Sequence, residues 1–171
     1  MIDHFGWLSP IYDRLIGPPD PERWRGLLQL PVAGSLLDAG GGTGRVSTQL
    51  RSLVDRLVVC DLSRSMLRQG QVKGRLRPTQ AHTERLPFGA ESFERVLVVD
   101  ALHHFGDQKG AVGELLRVLK PGGRLVIEEP DIRRLAVKVI ALAEKVTLMR
   151  SRFYSAAEIR DMAAAYDWPA R

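Results

Sequence analysis

The sequence carries a single cysteine, Cys60, in 171 residues. That excludes a disulfide framework and any zinc site built on thiolates. Cys60 stands inside an apolar run and reads as a small buried hydrophobe. Long hydrophobic runs are missing too. The most apolar stretch, Leu135 to Leu148, is interrupted by Lys138, Glu144 and Lys145, so no membrane span is expected. The first residues, MIDHFGWLSP, lack the basic flank and apolar core of a secretory leader, and a cytoplasmic location is the expectation. No internal repeat and no low-complexity segment occurs. There is no acidic excess: the net charge is +5 and the pI about 9.8. The positive charge is mostly arginine, scattered over Arg23, Arg45, Arg51, Arg56, Arg64, Arg68, Arg75 and Arg77. Scatter of this kind describes a solvated surface, and no nucleic-acid partner is expected.

What is present suits one globular domain. Hydrophobic residues make up 44% and charged residues 26%, so a chain of this length can bury a substantial core. The chain is organised around Leu36–Val46, LLDAGGGTGRV. A short apolar run ends in Asp38, and Gly40, Gly41, Gly42 and Gly44 follow at once. A strand, a tight turn and a helix start are implied, with glycine allowing positive φ and close approach of a ligand. The dinucleotide fingerprint G-x-G-x-x-G is not met, because its third glycine would fall at Arg45. The pattern is G-x-G-x-G.

Apolar strands then alternate with amphipathic helices. Asp20, followed by Pro21, caps a short helix with Trp24, Leu27 and Leu28 inward. Strand one is expected at 35–39, a helix at 43–53 and strand two at 56–61. Ser63 caps the next helix, with Met66 and Leu67 inward. A weak, polar strand three at 79–82 suits a sheet edge, and strand four covers 93–100. A helix at 108–119 buries Val112, Leu115, Leu116 and Leu119. The Lys120–Gly123 segment is a sharp turn before strand five at 124–128. This alternation argues a parallel α/β sheet, with ligand loops at the carboxyl ends of the strands. Around this core, 35–129, lie an N-terminal helical cap at 1–30 and C-terminal helices at 131–166. In the last of these Ser155 and Glu158 form a capping box, and Ile159, Met162 and Ala163 face inward.

The strand ends hold the chemistry. Asp61 closes strand two, where its carboxylate can accept both hydroxyls of a ribose; the alternative is a cap for the helix near Ser63. Leu86-Pro87-Phe88, after strand three, can wall an adenine ring or plug the core beneath a loop. Strand four runs into Asp100-Ala101-Leu102-His103-His104. Adjacent histidines point apart and no third ligand is suitably spaced, so a metal is not expected. His103 or His104 can serve as a general base, or can pack and bond a loop carbonyl.

Four motifs in order, LLDAGGGTG, VVCDLSRSML, ERLPFGAESFERVLVVDALHHF and LRVLKPGGRLVIEEP, resemble the class I S-adenosylmethionine-dependent methyltransferases. The likeness is to the small-molecule type found among ubiquinone/menaquinone biosynthesis methyltransferases. It runs from about Tyr12 to about Tyr166. It implies a Rossmann-like three-layer αβα sandwich, with a mostly parallel sheet of five strands in the order 3-2-1-4-5. It also implies S-adenosylmethionine as cofactor and S-adenosylhomocysteine as product. By this resemblance Asp38, Gly40 and Gly42 surround the methionine moiety and Asp61 holds the ribose. Leu62 and Met66 pack near the adenine, and His82 and Thr83 sit at its edge. Asp100, Ala101 and His103 lie beside the reacting methyl. Tyr12 is the N-terminal aromatic that closes over the cofactor.

Two departures from the family pattern stand out. The adenine-edge position is commonly an acid, and here it is His82; a neutral imidazole can accept that bond, a protonated one cannot. The family's C-terminal hairpin is lacking, since the sequence stops where it should begin. Strand five is then expected to be an open edge, covered by a homodimer or by the chain's own tail, unless the sequence is a truncated piece. The leading expectation is methyl transfer to a small-molecule substrate. A cofactor-binding regulatory protein without catalysis is the alternative, and a nucleotide-dependent oxidoreductase the third.

Overall fold

A computed structural model describes residues 20–72, 76–129 and 152–166. Tyr12 and the rest of the expected cap up to residue 19 lie outside them, as does the C-terminal segment at 130–151 with Arg133, Arg134 and Arg150.

The chain enters through helix α1, Pro21–Leu28. The Asp20 carboxylate accepts from the backbone N–H groups of Glu22 and Arg23 at 3.1 and 3.3 Å, and Pro21 stands where no N–H is needed. Trp24 and Leu28, one turn apart, are buried. Leu27 is 41% exposed, contrary to expectation, because two turns of helix present only a narrow stripe to the sheet.

Five strands follow: β1 Val32–Ala39, β2 Val54–Asp61, β3 Arg77–Gln80, β4 Phe93–Val99 and β5 Leu119–Glu128. They form one sheet in the order β3-β2-β1-β4-β5, and each of its strand pairings is parallel. β1 is central: Asp38 stands beside Val59 of β2 on one side and Leu97 of β4 on the other. Polar β3 is the edge the sequence predicts.

Strand residues alternate between two cores, as the two-residue pleat requires. Leu37, Ala39, Val58, Cys60, Val96 and Val98 face one core, with α4 (Gln108–Val118) and α5 (Ala156–Ala164) packed over them. Leu36, Leu57, Val59 and Leu97 face the other, beneath α1, α2 (Ser47–Leu50) and α3 (Arg64–Val72). This is a three-layer αβα sandwich, and it explains why the inner strands read as continuous apolar runs. Cys60 is fully buried, and burial pushes its thiol up to about 12. Ser155 and Glu158 complete the expected capping box on α5, with Ala163 buried and Ile159 and Met162 packed on the core.

Two local expectations need correction, and one of the readings of a turn is realised. The helix after the glycine loop does not begin at Thr43. Gly42 and Gly44 hold φ of +54° and +67°, which an α-helix cannot contain, so α2 spans Ser47–Leu50 and ends in a 3₁₀ turn, Arg51–Leu53. Leu119 is not the last residue of α4 but the first of β5, paired with Phe93. The Lys120–Gly123 turn, with Gly122 at φ +73°, is an irregularity inside that strand. The Leu86-Pro87-Phe88 turn is a core plug. Phe88 packs edge-on against Phe93, at 5.1 Å and 82°, and Phe93 opens β4 at the end opposite the ligand loops. Glu114 and Arg117 of α4 fasten the turn by accepting from the Leu86 N–H and donating to the Leu86 and Phe88 carbonyls.

Candidate active site

The strands deliver Asp38, Asp61, His82, Asp100 and Glu129 to one end of the sheet. The glycine loop rises from β1. The N–H groups of Gly40 and Gly41 donate to the Cys60 carbonyl at 2.8 and 3.2 Å, so β2 anchors the turn. Gly40 holds φ +71°, and a Cβ there would lie 2.5 Å from the Ala101 Cβ and 3.2 Å from the Phe105 ring. Ala101 therefore lies against the glycine loop. At Gly42, φ +54°, the nearest atom to an added Cβ among the described residues is Asp61 Oδ2 at 3.9 Å, which leaves open space over the loop within them.

Asp61 is half-buried and joins two segments. Its Oδ2 accepts from the Gly42 N–H at 2.8 Å and its Oδ1 from the Ser63 N–H at 2.7 Å. Ser63 in turn caps α3 through the Met66 N–H at 3.4 Å. The helix-start reading of Asp61 is thus realised. Leu62 beside it is 43% exposed, whereas Met66 is buried on the inner face of α3.

Asp38 is 2% exposed and accepts from the Ser47 hydroxyl at 2.6 Å. Burial raises its carboxyl from 3.8 to about 6; the Ser47 hydrogen bond opposes this and Asp61 adds to it. The native state then binds the proton more tightly than the unfolded chain. Stability falls as pH rises from about 4 to about 6 and stays lower above that. Asp38→Asn, which can still accept from Ser47, should remove this loss. Urea unfolding should find the variant on the order of 2–3 kcal/mol more stable at pH 7.5, relative to the difference at pH 4. A difference that does not change with pH would show that the native carboxyl titrates as it does in the unfolded chain.

After β3, the His82 side chain is 54% exposed with Nδ1 3.8 Å from Glu84 Oε2. Thr83 is buried at the start of a 3₁₀ turn, Thr83–Arg85. Glu84 Oε1 accepts from the N–H groups of Gly106 and Asp107 at 2.7 and 3.3 Å, tying this loop to the one after β4.

The loop after β4 begins with Asp100 in the left-handed region, φ +51°, its N–H donating to the Glu128 carbonyl at 2.9 Å. Burial raises the Asp100 carboxyl, and Glu129 adds to the rise. The 3₁₀ turn Leu102–His104 follows. His103 is 4% exposed and its Nδ1 lies 2.5 Å from Glu129 Oε2. His104 lies beside it, with burial and His103 together holding its imidazole down to about 3. Glu129 and Phe153 were not identified from the sequence as site residues. The only sequence signal was the paired acid of IEEP, at the carboxyl end of β5. Phe153, which stacks on His103 with centroids 4.5 Å apart, gave none. Among the described residues no cluster of three or more His, Cys, Asp or Glu is arranged to hold a metal ion, and no helix is long and apolar enough to cross a membrane.

A doubly wound parallel sheet, an acid and a G-x-G-x-G turn leaving its central strand, and a second acid closing the neighbouring strand define a nucleoside-binding α/β domain. The family profile for the methyltransferase domain matches residues 37–127. The chain is 36% identical over 139 residues to the ubiquinone/menaquinone biosynthesis C-methyltransferase of Syntrophotalea carbinolica, covering 73% of this chain and 59% of that protein. It is 35% identical over 136 residues to the demethylmenaquinone methyltransferase of Clavibacter sepedonicus, covering 73% and 56%. The crystal structure of the YcgJ protein of Bacillus subtilis superposes with a TM-score of 0.74 at 25% identity, covering 85% of this chain and 66% of that one. The chain belongs to the methyltransferase domain family, the class I fold that uses S-adenosylmethionine. It spans under three fifths of the length of these two sequence relatives.

Proposed function

We propose that this chain transfers a methyl group from S-adenosylmethionine to a small-molecule acceptor and releases S-adenosylhomocysteine. The observation that carries the reading is the pairing of the half-buried Asp61 carboxylate with the open loop at Gly42. A charged acceptor group stands beside a space that no Cβ fills, which fits a ribosyl-bearing cofactor. Bound there, the sulfonium supplies an electrophilic methyl.

In this reading Asp61 takes the ribose hydroxyls, and Asp38, Gly40, Gly42, Asp100 and Ala101 line the methionine portion. Leu62 covers the adenine, with Met66 beneath it and His82 and Thr83 at its edge; Tyr12 closes the site. The names of the relatives support an electron-rich carbon of a hydroquinone ring as the acceptor class. The carbon–methyl bond forms as the methyl–sulfur bond breaks, and sulfur keeps the electron pair. The hydroxyl proton passes to His103. The ring hydrogen then shifts to oxygen and restores the hydroxyl. His103 suits this better than His104, whose imidazole is too weak a base to hold a proton near neutrality. A cytoplasmic location goes with this reading.

Titration calorimetry should show binding of S-adenosylmethionine and S-adenosylhomocysteine and none of NAD. Tritium from the labelled methyl should then appear in a demethylated hydroquinone. Failure to bind either sulfur ligand at millimolar concentration sinks the proposal. Binding without transfer to any acceptor would favour a sensing role, toward which the exposed His82 points.

A further inference from the structure

Glu129 carries more hydrogen bonds than a surface acid at the end of a strand has reason to make. Its Oε1 accepts from the backbone N–H groups of Ala101 and Leu102 at 3.0 and 2.8 Å. Its Oε2 lies 3.3 Å from the His103 backbone N and 2.5 Å from its ring Nδ1. The side chains of His103 and Glu129 are 5% and 6% exposed. Three successive backbone donors of one turn and one ring nitrogen thus converge on a single carboxylate.

This convergence settles the direction of the ring bond. A carboxylate only accepts, and a neutral imidazole has one donor and one acceptor nitrogen. With Glu129 at Nδ1, that nitrogen carries the hydrogen, and Nε2 is left with its lone pair. Among the described residues Nε2 makes no hydrogen bond. The ring cannot easily turn away. Phe153 stacks on it at an interplanar angle of 17°, and His104 lies 3.9 Å from it, centroid to centroid. The backbone is held as well: the His103 carbonyl accepts from the Arg152 N–H at 3.0 Å. The Gln108 amide bridges the Leu102 and Arg152 carbonyls at 3.0 and 2.6 Å. A histidine that only filled space would need no such clamp at one nitrogen.

We propose that Glu129 is a positioning residue: it fixes His103 in the Nδ1–H tautomer and so presents Nε2 as the proton acceptor for the methyl acceptor's hydroxyl. The proposal rests on the methyl-transfer reading above only for what Nε2 does, not for how the ring is held. It also joins the loop after β4 to the end of β5, so the reacting side chain is set by two strands on the same half of the sheet. An Asp–His pair orients a general base in many hydrolases by the same logic, here assembled from a strand end and a 3₁₀ turn.

The test begins with the unsubstituted, ligand-free protein carrying ¹⁵N-labelled histidine. Its long-range ¹H–¹⁵N spectrum should show His103 with a pyrrole-type Nδ1 and a pyridine-type Nε2. A protonated Nε2 in the neutral ring overturns the proposal without any variant being made. In Glu129→Gln the amide N–H₂ can face Nδ1, and the tautomer should invert. Methyl transfer should then lose kcat by roughly 10–100-fold, with the KM for both substrates within about twofold. His103→Gln should lose as much, and the double variant little more. An unchanged tautomer in Glu129→Gln, or losses that simply multiply in the double variant, overturns the proposal. If the tautomer inverts but His103→Gln keeps full kcat, the ring-holding role stands and the general-base reading fails.

Discussion

Replacing Asp61 with alanine should weaken S-adenosylmethionine binding by at least 100-fold. Asp61 joins the glycine loop, through Gly42, to the start of the next helix, through Ser63. It is half-buried, beside the open position at Gly42. Two hydrogen bonds from ribose hydroxyls to a charged acceptor contribute roughly 1.5–3 kcal/mol each, so their loss amounts to about 10²–10⁴ in affinity. Loosening of the Gly42 and Ser63 contacts adds to this. Asparagine keeps one acceptor oxygen but turns an N–H₂ toward one of the two backbone donors, and should fall between the wild-type and alanine values. Calorimetry with S-adenosylhomocysteine, which carries no sulfonium charge, isolates the ribose contribution: it should lose affinity in step. Affinity unchanged in Asp61→Ala would mean that the residue only braces the loop.

Gly40→Ala should lower stability by about 3 kcal/mol or more. Two separate penalties apply. At φ +71° an L-residue strains its own backbone, at roughly 1–2 kcal/mol. The new methyl would also sit 2.5 Å from the Ala101 Cβ, well inside contact distance, with the Phe105 ring at 3.2 Å behind it. A double-mutant cycle separates them. Ala101→Gly removes the nearest colliding atom but leaves φ and the Phe105 contact untouched, so in its background the cost of Gly40→Ala should fall to the strain plus that milder contact. Equal costs in both backgrounds, measured by urea unfolding, would show that the two loops do not press on each other. The clash also bears on function, because it would push apart the loops proposed to line the methionine portion.

Strand periodicity and glycine chemistry made the core of this protein legible. The runs around Leu36, Val58 and Val96 are apolar at consecutive positions, which only a sheet covered on both faces requires, and both faces are covered. Asp20-Pro21, Ser63 and Ser155 with Glu158 each marked a helix start by local hydrogen bonding, and each cap is formed. Errors arose where local pattern met a backbone constraint. The helical reading at Thr43 ignored the positive φ of Gly42 and Gly44, and Leu119 looked helical because it is apolar at the right spacing.

The sequence by itself determined the layered α/β fold, the strand from which the glycine loop departs, and the acids that close β1 and β2. These follow from residue spacing and from what glycine and a carboxylate can do within a few positions. Tertiary structure alone decided the rest. His103 and Glu129 are separated by 26 residues, and only the parallel pairing of β4 with β5 brings their ends together. Phe153 reaches the ring from beyond the last strand. The different fates of Asp38, buried and raised, and Asp61, half-buried and braced by backbone donors, depend on where water reaches. Local pattern encodes neither long-range proximity nor solvent access; the assembled sheet supplies both.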